Sequence, residues 1–287
     1  MNDPIIRPYE RSMLNPVLDL LFYSRRTHIH LDWHRVRNWL DIPENIVHTS
    51  WQGTHLVGVV GASAPLGGTS WVRLAAVDNA YETLPNLQIL WQAAQADLLA
   101  QRVRLAGWLV ANRWVANYLP LLGLQYQDTV VTLGRAGDDL PPAPPAYEIH
   151  NAYLEQLPDL VTVDHQAFAP PWQLSRDEIR QAQRQAASCT VAVLNDAIIG
   201  YQITTRHQAS AHLARLAVLP QYQGRGVGAR LLYDLLLSLF RRHVRTITVN
   251  TQQTNEHSQR LYARFGFRRN GYDLPVWFWQ AQEPAEN

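Results

Sequence analysis

Three glycines, Gly224, Gly226 and Gly228, stand at alternate positions between an apolar run and a long helical pattern. The run ends at Leu219. Pro220 closes it, because proline has no N–H to give a central sheet. From Val227 the apolar residues repeat with helical spacing: Val227, Leu231 and Leu235 in one row, Leu232, Leu236 and Phe240 in the next. Strand, glycine-rich turn and helix in this order make a cradle for phosphate or pyrophosphate. Missing side chains let the backbone approach a ligand. The unpaired N–H groups of the helix's first turn then favour anionic oxygen. A flexible turn with an ordinary N-cap is the competing reading. Glycine spacing, strand and helix all agree on the cradle instead.

The rest of the chain bounds what such a cradle can serve. A length of 287 residues points to two domains. With 47% hydrophobic and 17% charged residues, each half can bury a core and disorder is not expected. A net charge of +1 argues against a strong nucleic-acid or anionic-membrane field. Arg241, Arg242 and Arg245 read as a solvated helix end. All 25 basic residues are arginine. Without lysine there is no Schiff base to a pyridoxal cofactor and no P-loop lysine. Cys189, the one cysteine, cannot pair internally and precedes the strand-like Thr190-Val191-Ala192-Val193, so it reads as a buried strand residue. Met1-Asn2-Asp3-Pro4 lacks the features of a signal peptide, and no apolar run approaches membrane-spanning length. A soluble cytoplasmic protein is expected.

Residues 136–146 contain four prolines and no periodicity, the composition of a stiff, extended linker. The halves on either side resemble each other. Asn195-Asp196 is a two-residue hairpin signal between Thr190–Leu194 and Ala197–Thr205. Gln52-Gly53 has the same place between Ile46–Trp51 and Thr54–Val60. The hairpins, Asn112 with Asn255, and Gly123 with Gly266 all recur at a spacing of 143 residues. Three landmarks at one offset indicate a duplicated domain. The expected division is 1–135, a linker over 136–146, and 147–287.

Each half has a common order: opening strand, one or two helices, hairpin, third strand, long helix, strand, shorter helix and closing strands. That is a mixed α/β layer fold. Ser175 and Glu178 form a capping box ahead of one helix. The halves differ at the cradle. After Val77 the first half reads Asp78-Asn79-Ala80-Tyr81-Glu82-Thr83-Leu84-Pro85, with no glycine and two carboxylates where an anion would sit. The first half is therefore expected to lack the ligand site.

The second half resembles the GNAT superfamily of acyl-CoA-dependent N-acyltransferases. Ala217-Val218-Leu219-Pro220 followed by Gln223-Gly224-Arg225-Gly226-Val227-Gly228 looks like the family's strand and its Arg/Gln-x-x-Gly-x-Gly/Ala loop. Asn255, Ser258, Leu261, Tyr262 and Phe265-Gly266-Phe267 look like its second motif, with Ser258 replacing the usual alanine. The resemblance covers roughly residues 146–280, and by repetition, weakly, 1–135. It implies two tandem GNAT-like domains, each a mostly antiparallel twisted sheet with helices on both faces, the N-terminal copy degenerate. It implies acetyl-CoA as co-substrate and no metal. The pyrophosphate would lie on the N–H groups of Gln223, Gly224, Arg225, Gly226, Val227 and Gly228. The pantetheine arm would run beside Leu216, Ala217 and Val218, and Asn255 would join the binding set. A backbone N–H near Ala217 or Val218 would stabilise the oxyanion.

Tyr262 is the implied general acid for the departing thiolate. A phenol with a pKa near ~10 holds its proton at neutral pH; the alternative is a packing tyrosine. His212 lies six residues before Val218, where some members carry a base glutamate. Strand alternation puts it on the face of Ala214, Leu216 and Val218, and a pKa near ~6.5 suits a base. A strand-end histidine bonded to solvent is the alternative. Ribosomal-protein acetyltransferases of the superfamily use a glutamate on the next strand, where this chain has Asn250. Phe168-Ala169-Pro170-Pro171-Trp172 would overhang the acceptor, as a stacking wall for an amine or as an ordered loop capping the core.

Other readings are weaker. His28, His30 and His34 lack a complete ligand set for a metal. Gly224-x-Gly226-x-x-Ala229 satisfies a loose dinucleotide fingerprint, but the next strand ends Val249-Asn250-Thr251-Gln252 without the acidic residue that ribose hydroxyls require. The expectation is an N-acetyltransferase acting by direct attack of a primary amine, small-molecule or peptide, with no nucleic-acid or membrane partner and with a homodimer compatible. The alternatives are a coenzyme A-binding sensor with little catalysis and a nucleotide-dependent oxidoreductase.

Overall fold

The computed structural model describes residues 4–282. The expectation about residues 1–3 lies outside that range. The chain forms two compact units, Met1–Asp128 with Leu274–Asn287, and Thr129–Asp273. Unit 1 contains β1 (Ile5–Pro8), α1 (Leu14–Tyr23), β2 (Arg26–Ile29), α2 (Val36–Leu40), β3 (Ile46–Gln52), β4 (His55–Ala62), β5 (Thr69–Val77), α3 (Thr83–Ala100), β6 (Leu105–Leu109) and α4 (Arg113–Ala116). Strand β7 (Gln125–Arg135) crosses the division. Unit 2 contains β8 (Glu148–Asn151), α5 (Leu157–Ala167), α6 (Arg176–Gln185), β9 (Ser188–Leu194), β10 (Ala197–His207), β11 (Ser210–Val218), α7 (Val227–Arg241), β12 (Thr246–Gln252), α8 (Glu256–Arg264) and β13 (Arg268–Arg269). The last strand, β14 (Leu274–Gln280), belongs to unit 1.

This division differs from a linear cut at 135 and 147. Residues Val130–Arg135 of β7 pair antiparallel with β12 of unit 2. Strand β14 pairs antiparallel with β6 and sets Trp279 against Trp91 in the core of unit 1, with ring centroids 6.0 Å apart. Each strand buries one face whichever sheet receives it, so apolar alternation cannot announce the exchange. Residues 136–146 are irregular, as their prolines require, and they are held in place. Arg135 Nη2 donates to the Asp139 carbonyl at 2.7 Å, and Leu140 packs on the core of unit 2.

The repeat is visible in the backbone. Asn112 and Asn255 are the N-caps of α4 and α8, and Gly123 and Gly266 both adopt left-handed φ values, 80° and 81°. Strand β5 begins its parallel pairing with β6 at Thr69 and Leu105, and β11 with β12 at Ser210 and Thr246. The first hairpin turns one residue later than expected. Strand β3 runs through Gln52, and Gly53-Thr54 makes the turn, with Gly53 at φ 61°. Helix α3 begins at Thr83 and includes Pro85 in its first turn, where a missing N–H is tolerated.

Two apolar helix faces close the cores. In unit 1, Leu87, Leu90, Trp91, Ala94 and Leu98 of α3 pack on Val60, Val72, Ala75 and Trp108. In unit 2, Leu232, Leu235, Leu236 and Leu239 of α7 pack on Leu213, Ile247 and Val249. Each fully buried leucine contributes about 1.5–3 kcal/mol. The core of unit 1 also encloses an imidazole. His28 of β2 has no exposed surface and its ring lies 5.5 Å from that of Trp108. Burial lowers its pKa to about 3.

The unfolded chain therefore takes up a proton at His28 near pH ~6.5 that the folded chain refuses until about pH 3. Stability from this site is present above the unfolded value and is lost as pH falls toward the folded one, at about 1.4 kcal/mol per pH unit. Urea unfolding of unit 1 at pH 7 and pH 5 should show a smaller acid loss in His28→Leu than in the wild type.

Candidate active site

Strand β11 pairs with β10 along its length and with β12 only over Ser210–Leu213. Past Leu213 the two parallel strands part, and one edge of β11 loses its sheet partner. The parting coincides with a β-bulge: Ile203 faces Arg215 and Thr204 faces Leu213, leaving Ala214 as the extra residue. The bulge reverses the alternation. Leu213 and Leu216 both pack against the α7 core, so Arg215 and Ala217 share the opposite face with His212. The expectation that His212 shares a face with Leu216 and Val218 is corrected accordingly. An apolar–polar pattern counts residues in twos and cannot register one extra residue.

Main-chain bonding shows which groups face the open edge. The Leu219 N–H donates to the Ile199 carbonyl at 2.9 Å, so Leu219, Ala217 and Arg215 direct their peptide groups to β10. Leu216 and Val218 direct theirs outward. The Val218 carbonyl accepts a hydrogen bond from Gln223 Nε2 at 3.0 Å.

The glycine turn then carries the chain into α7. Gly224 and Gly226 have φ values of 74° and 90°, and Gly226 is the N-cap. The first hydrogen bond of the helix runs from the Arg230 N–H to the Gly226 carbonyl at 2.9 Å. The N–H groups of Val227, Gly228 and Ala229 precede it, as an anion site requires. The glycines serve different ends. A Cβ on Gly224 would meet no atom within 4 Å, so its left-handed backbone is the constraint. A Cβ on Gly226 would lie 3.0 Å from Pro145 Cδ, and Tyr147 Oη donates to the Arg225 carbonyl at 3.0 Å, so the end of the proline-rich stretch backs the turn. A Cβ on Gly228 would make ordinary contacts of 3.6 Å with Leu261 and Val218. Only the first two positions demand glycine.

Asn255 Oδ1 accepts from the Ser258 N–H at 3.1 Å, capping α8, which presents Tyr262. Tyr262 is 5% exposed and its ring packs beside Phe267 at 5.8 Å. Burial raises its pKa above the usual phenol value, and the positive charge of Arg215 opposes that rise. His212 Nδ1 lies 2.8 Å from Thr248 Oγ1, so β12 orients the imidazole just before the strands part. Asn250, two residues further along β12, is exposed.

Arg215 was not singled out from the sequence. Its Nε and Nη2 grip the Asp164 carboxylate of α5 at 2.7 and 2.8 Å, and Nη2 also donates to the Trp172 carbonyl at 2.8 Å. Asp164 is fully buried and also accepts from Tyr201 Oη at 2.6 Å and the Leu174 N–H at 2.9 Å. The guanidinium lies 3.5 Å above the centre of the Phe168 ring. The segment Phe168–Trp172 is thus clamped to β11, and one aromatic face expected to receive an amine is covered by Arg215. An arginine within the apolar run Ala214–Leu219 is the signal that could have revealed it: a charge on a central strand needs a partner.

Burial pushes the Cys189 thiol up to about 12, so it stays protonated at neutral pH. Among the described residues no group of three or more His, Cys, Asp or Glu could hold a metal ion, and no helix is long and apolar enough to cross a membrane. A cavity of about 450 Å³ beside Tyr9, Arg11, Asp41 and Asp97 belongs to unit 1 and contains none of these site residues. The cleft of unit 2 is the opening between parted strands.

Unit 2 thus sets a parted pair of parallel strands beside a glycine-rich helix N-terminus. Residues 147–267 match the Acetyltransferase (GNAT) family. The chain is 30% identical over 136 residues to the phosphinothricin N-acetyltransferase of Streptomyces coelicolor, covering 44% of this chain and 77% of that protein. It is 31% identical over 121 residues to the [ribosomal protein bS18]-alanine N-acetyltransferase of Haemophilus influenzae, covering 40% and 81%. The chain belongs to the GNAT acetyltransferase family, whose co-substrate is acetyl-CoA. The fold match extends further. A tandem GNAT protein from the clavulanic acid biosynthesis pathway superposes with a TM-score of 0.65 at 16% identity, covering 98% of this chain and 100% of that one. A probable N-acyltransferase from Enterococcus faecalis V583 gives 0.71 at 10% identity, covering 97% and 73%.

Arg215→Gln would leave the buried Asp164 charge without its cation and should destabilise the fold by about 3–5 kcal/mol. Replacing both partners, Asp164→Leu with Arg215→Met, should cost less. Denaturant titration of unit 2 measures both.

Proposed function

We propose that unit 2 transfers the acetyl group of acetyl-CoA to a small-molecule primary amine by direct attack. The observation that carries this reading is the open edge of β11 leading to the bare first-turn N–H groups of α7. Acetyl-CoA supplies an activated acyl thioester. The peptide groups of Leu216 and Val218 hold an extended arm along the edge, and the N–H groups from Gly224 to Ala229 hold its anionic end. The Leu216 N–H, on the same edge and further from the anionic end, is the donor for the acyl oxygen. Ala217 is unsuited to that role because its peptide group is turned to β10.

Tyr262 Oη keeps its proton through neutral pH, because burial disfavours the phenolate, and delivers it to the departing sulfur. His212, oriented by Thr248, accepts the proton of the incoming amine. A protonated Cys189 gives no covalent route, which agrees with direct attack. Asn250 carries no carboxylate where a peptide-amine acetyltransferase would place its glutamate, which favours a small acceptor. The two named relatives act on phosphinothricin and on an alanine of a ribosomal protein.

Thiol release from acetyl-CoA against a panel of small amines tests the reaction. Tyr262→Phe should lower kcat about 10²–10⁴-fold while leaving acetyl-CoA affinity near wild type; unchanged turnover would remove its role. Gly226→Val, forced to a left-handed backbone, should weaken acetyl-CoA binding roughly tenfold or more, or about 1.4 kcal/mol per factor of ten. His212→Ala should abolish the acid limb of the pH–rate profile, and a profile superposable on wild type would dismiss His212 as the base.

A further inference from the structure

Unit 1 repeats the parting of strands and then fills it. Strand β5 pairs in parallel with β6 only over Thr69–Trp71. It also has a bulge, at Arg73, between the pairs Ala62–Val72 and Gly61–Leu74. Where the strands part, β2 enters and pairs antiparallel with β5, Arg26 against Val77 through Ile29 against Leu74. Residues 74–77 of β5 have the place in their unit that 215–218 of β11 have in unit 2.

The contacts of β2 match what a ligand arm would need. The Thr27 carbonyl accepts Asn112 Nδ2 at 2.8 Å and Trp114 Nε1 at 2.9 Å. Asn112 is the N-cap of α4 and the counterpart of Asn255. At the other end, Arg26 Nη1 donates to the Tyr81 carbonyl at 2.6 Å, and Ser24 Oγ donates to the Val77 carbonyl at 2.6 Å. Arg26 thereby engages the turn that replaces the glycine cradle. His28, midway along β2, is fully buried, so the strand cannot leave without exposing the core. Pro85 also removes one N–H from the first turn of α3.

We infer that β2 is the resident intramolecular ligand of the N-terminal cofactor cleft, and that unit 1 takes no coenzyme A. The chain binds one acetyl-CoA, in unit 2. Only the identity of the displaced ligand rests on the function proposed above; the occupancy of the cleft by β2 does not.

Hydrogen exchange on the full chain, with and without saturating acetyl-CoA, separates the two ideas. The amides of His28 and His30, which face β5, should be strongly protected and unchanged by acetyl-CoA, whereas those of Leu216, Val218 and residues 224–229 should gain protection. Rapid exchange at His28 and His30, or a change there on adding acetyl-CoA, would overturn the inference. Absence of any gain in unit 2 would instead sink the proposed function and leave the β2 assignment to its own protection data. Equilibrium dialysis supplies a second readout. One equivalent bound per chain, with its Kd raised at least tenfold in Gly226→Val, is expected. Two equivalents, or one whose Kd is unchanged in folded Gly226→Val, would refute it.

Discussion

The geometry of this molecule depends on what happens to a strand when its parallel neighbour turns away. A peptide group inside a protein needs a hydrogen-bond partner. When β12 leaves β11 after Leu213, the peptide groups of Leu216 and Val218 face an opening and can be met by an extended ligand or by water. The bulge at Ala214 sets the phase of the edge: it turns Leu216 toward the α7 core and brings Arg215 and Ala217 to the face of His212. The open edge of β11 and the clamp of Arg215 on the segment Phe168–Trp172 follow from the same extra residue.

The two units answer this one constraint differently. Unit 1 satisfies the exposed edge of β5 with its own strand β2, pinned by Asn112 and Trp114. Unit 2 has no such strand. Its connection between α5 and α6 lies across the face of β11, fastened through Arg215 to Asp164 and the Trp172 carbonyl. The connection between the first two helices decides in each unit whether the cleft is filled or framed. The negative residues in the turn after β5 are a secondary matter: Asp78 Oδ1 accepts the Ala80 N–H at 2.8 Å, and Oδ2 lies 3.2 Å from His55 Nε2.

Burial favours the neutral form of three ionisable groups. His28 stays neutral within unit 1, and the Tyr262 phenol and Cys189 thiol keep their protons within unit 2. The side chain of Asp164 also has no exposed surface. It receives four donor groups, from Arg215, Tyr201 and Leu174, and a buried carboxylate needs such compensation. That network ties α5, β10, β11 and the segment before α6 into one rigid wall beside the cleft.

Local chemistry alone determined a good part of this. Glycine spacing, a proline at a strand end and helical leucine rows are properties of neighbouring residues, so the glycine turn, α7 and the tandem repeat were legible in the sequence. So was the family itself. Tertiary structure decided what depends on residues far apart or on counting by one. The bulge shifted the face of His212, the exchange of β7 and β14 redrew the two units, and Arg215 found Asp164 across 51 positions of chain. Strand β2 was hidden for the same reason. Arg26–Ile29 is a short, mixed segment with no pattern of its own, and only the gap beside β5 makes it a strand.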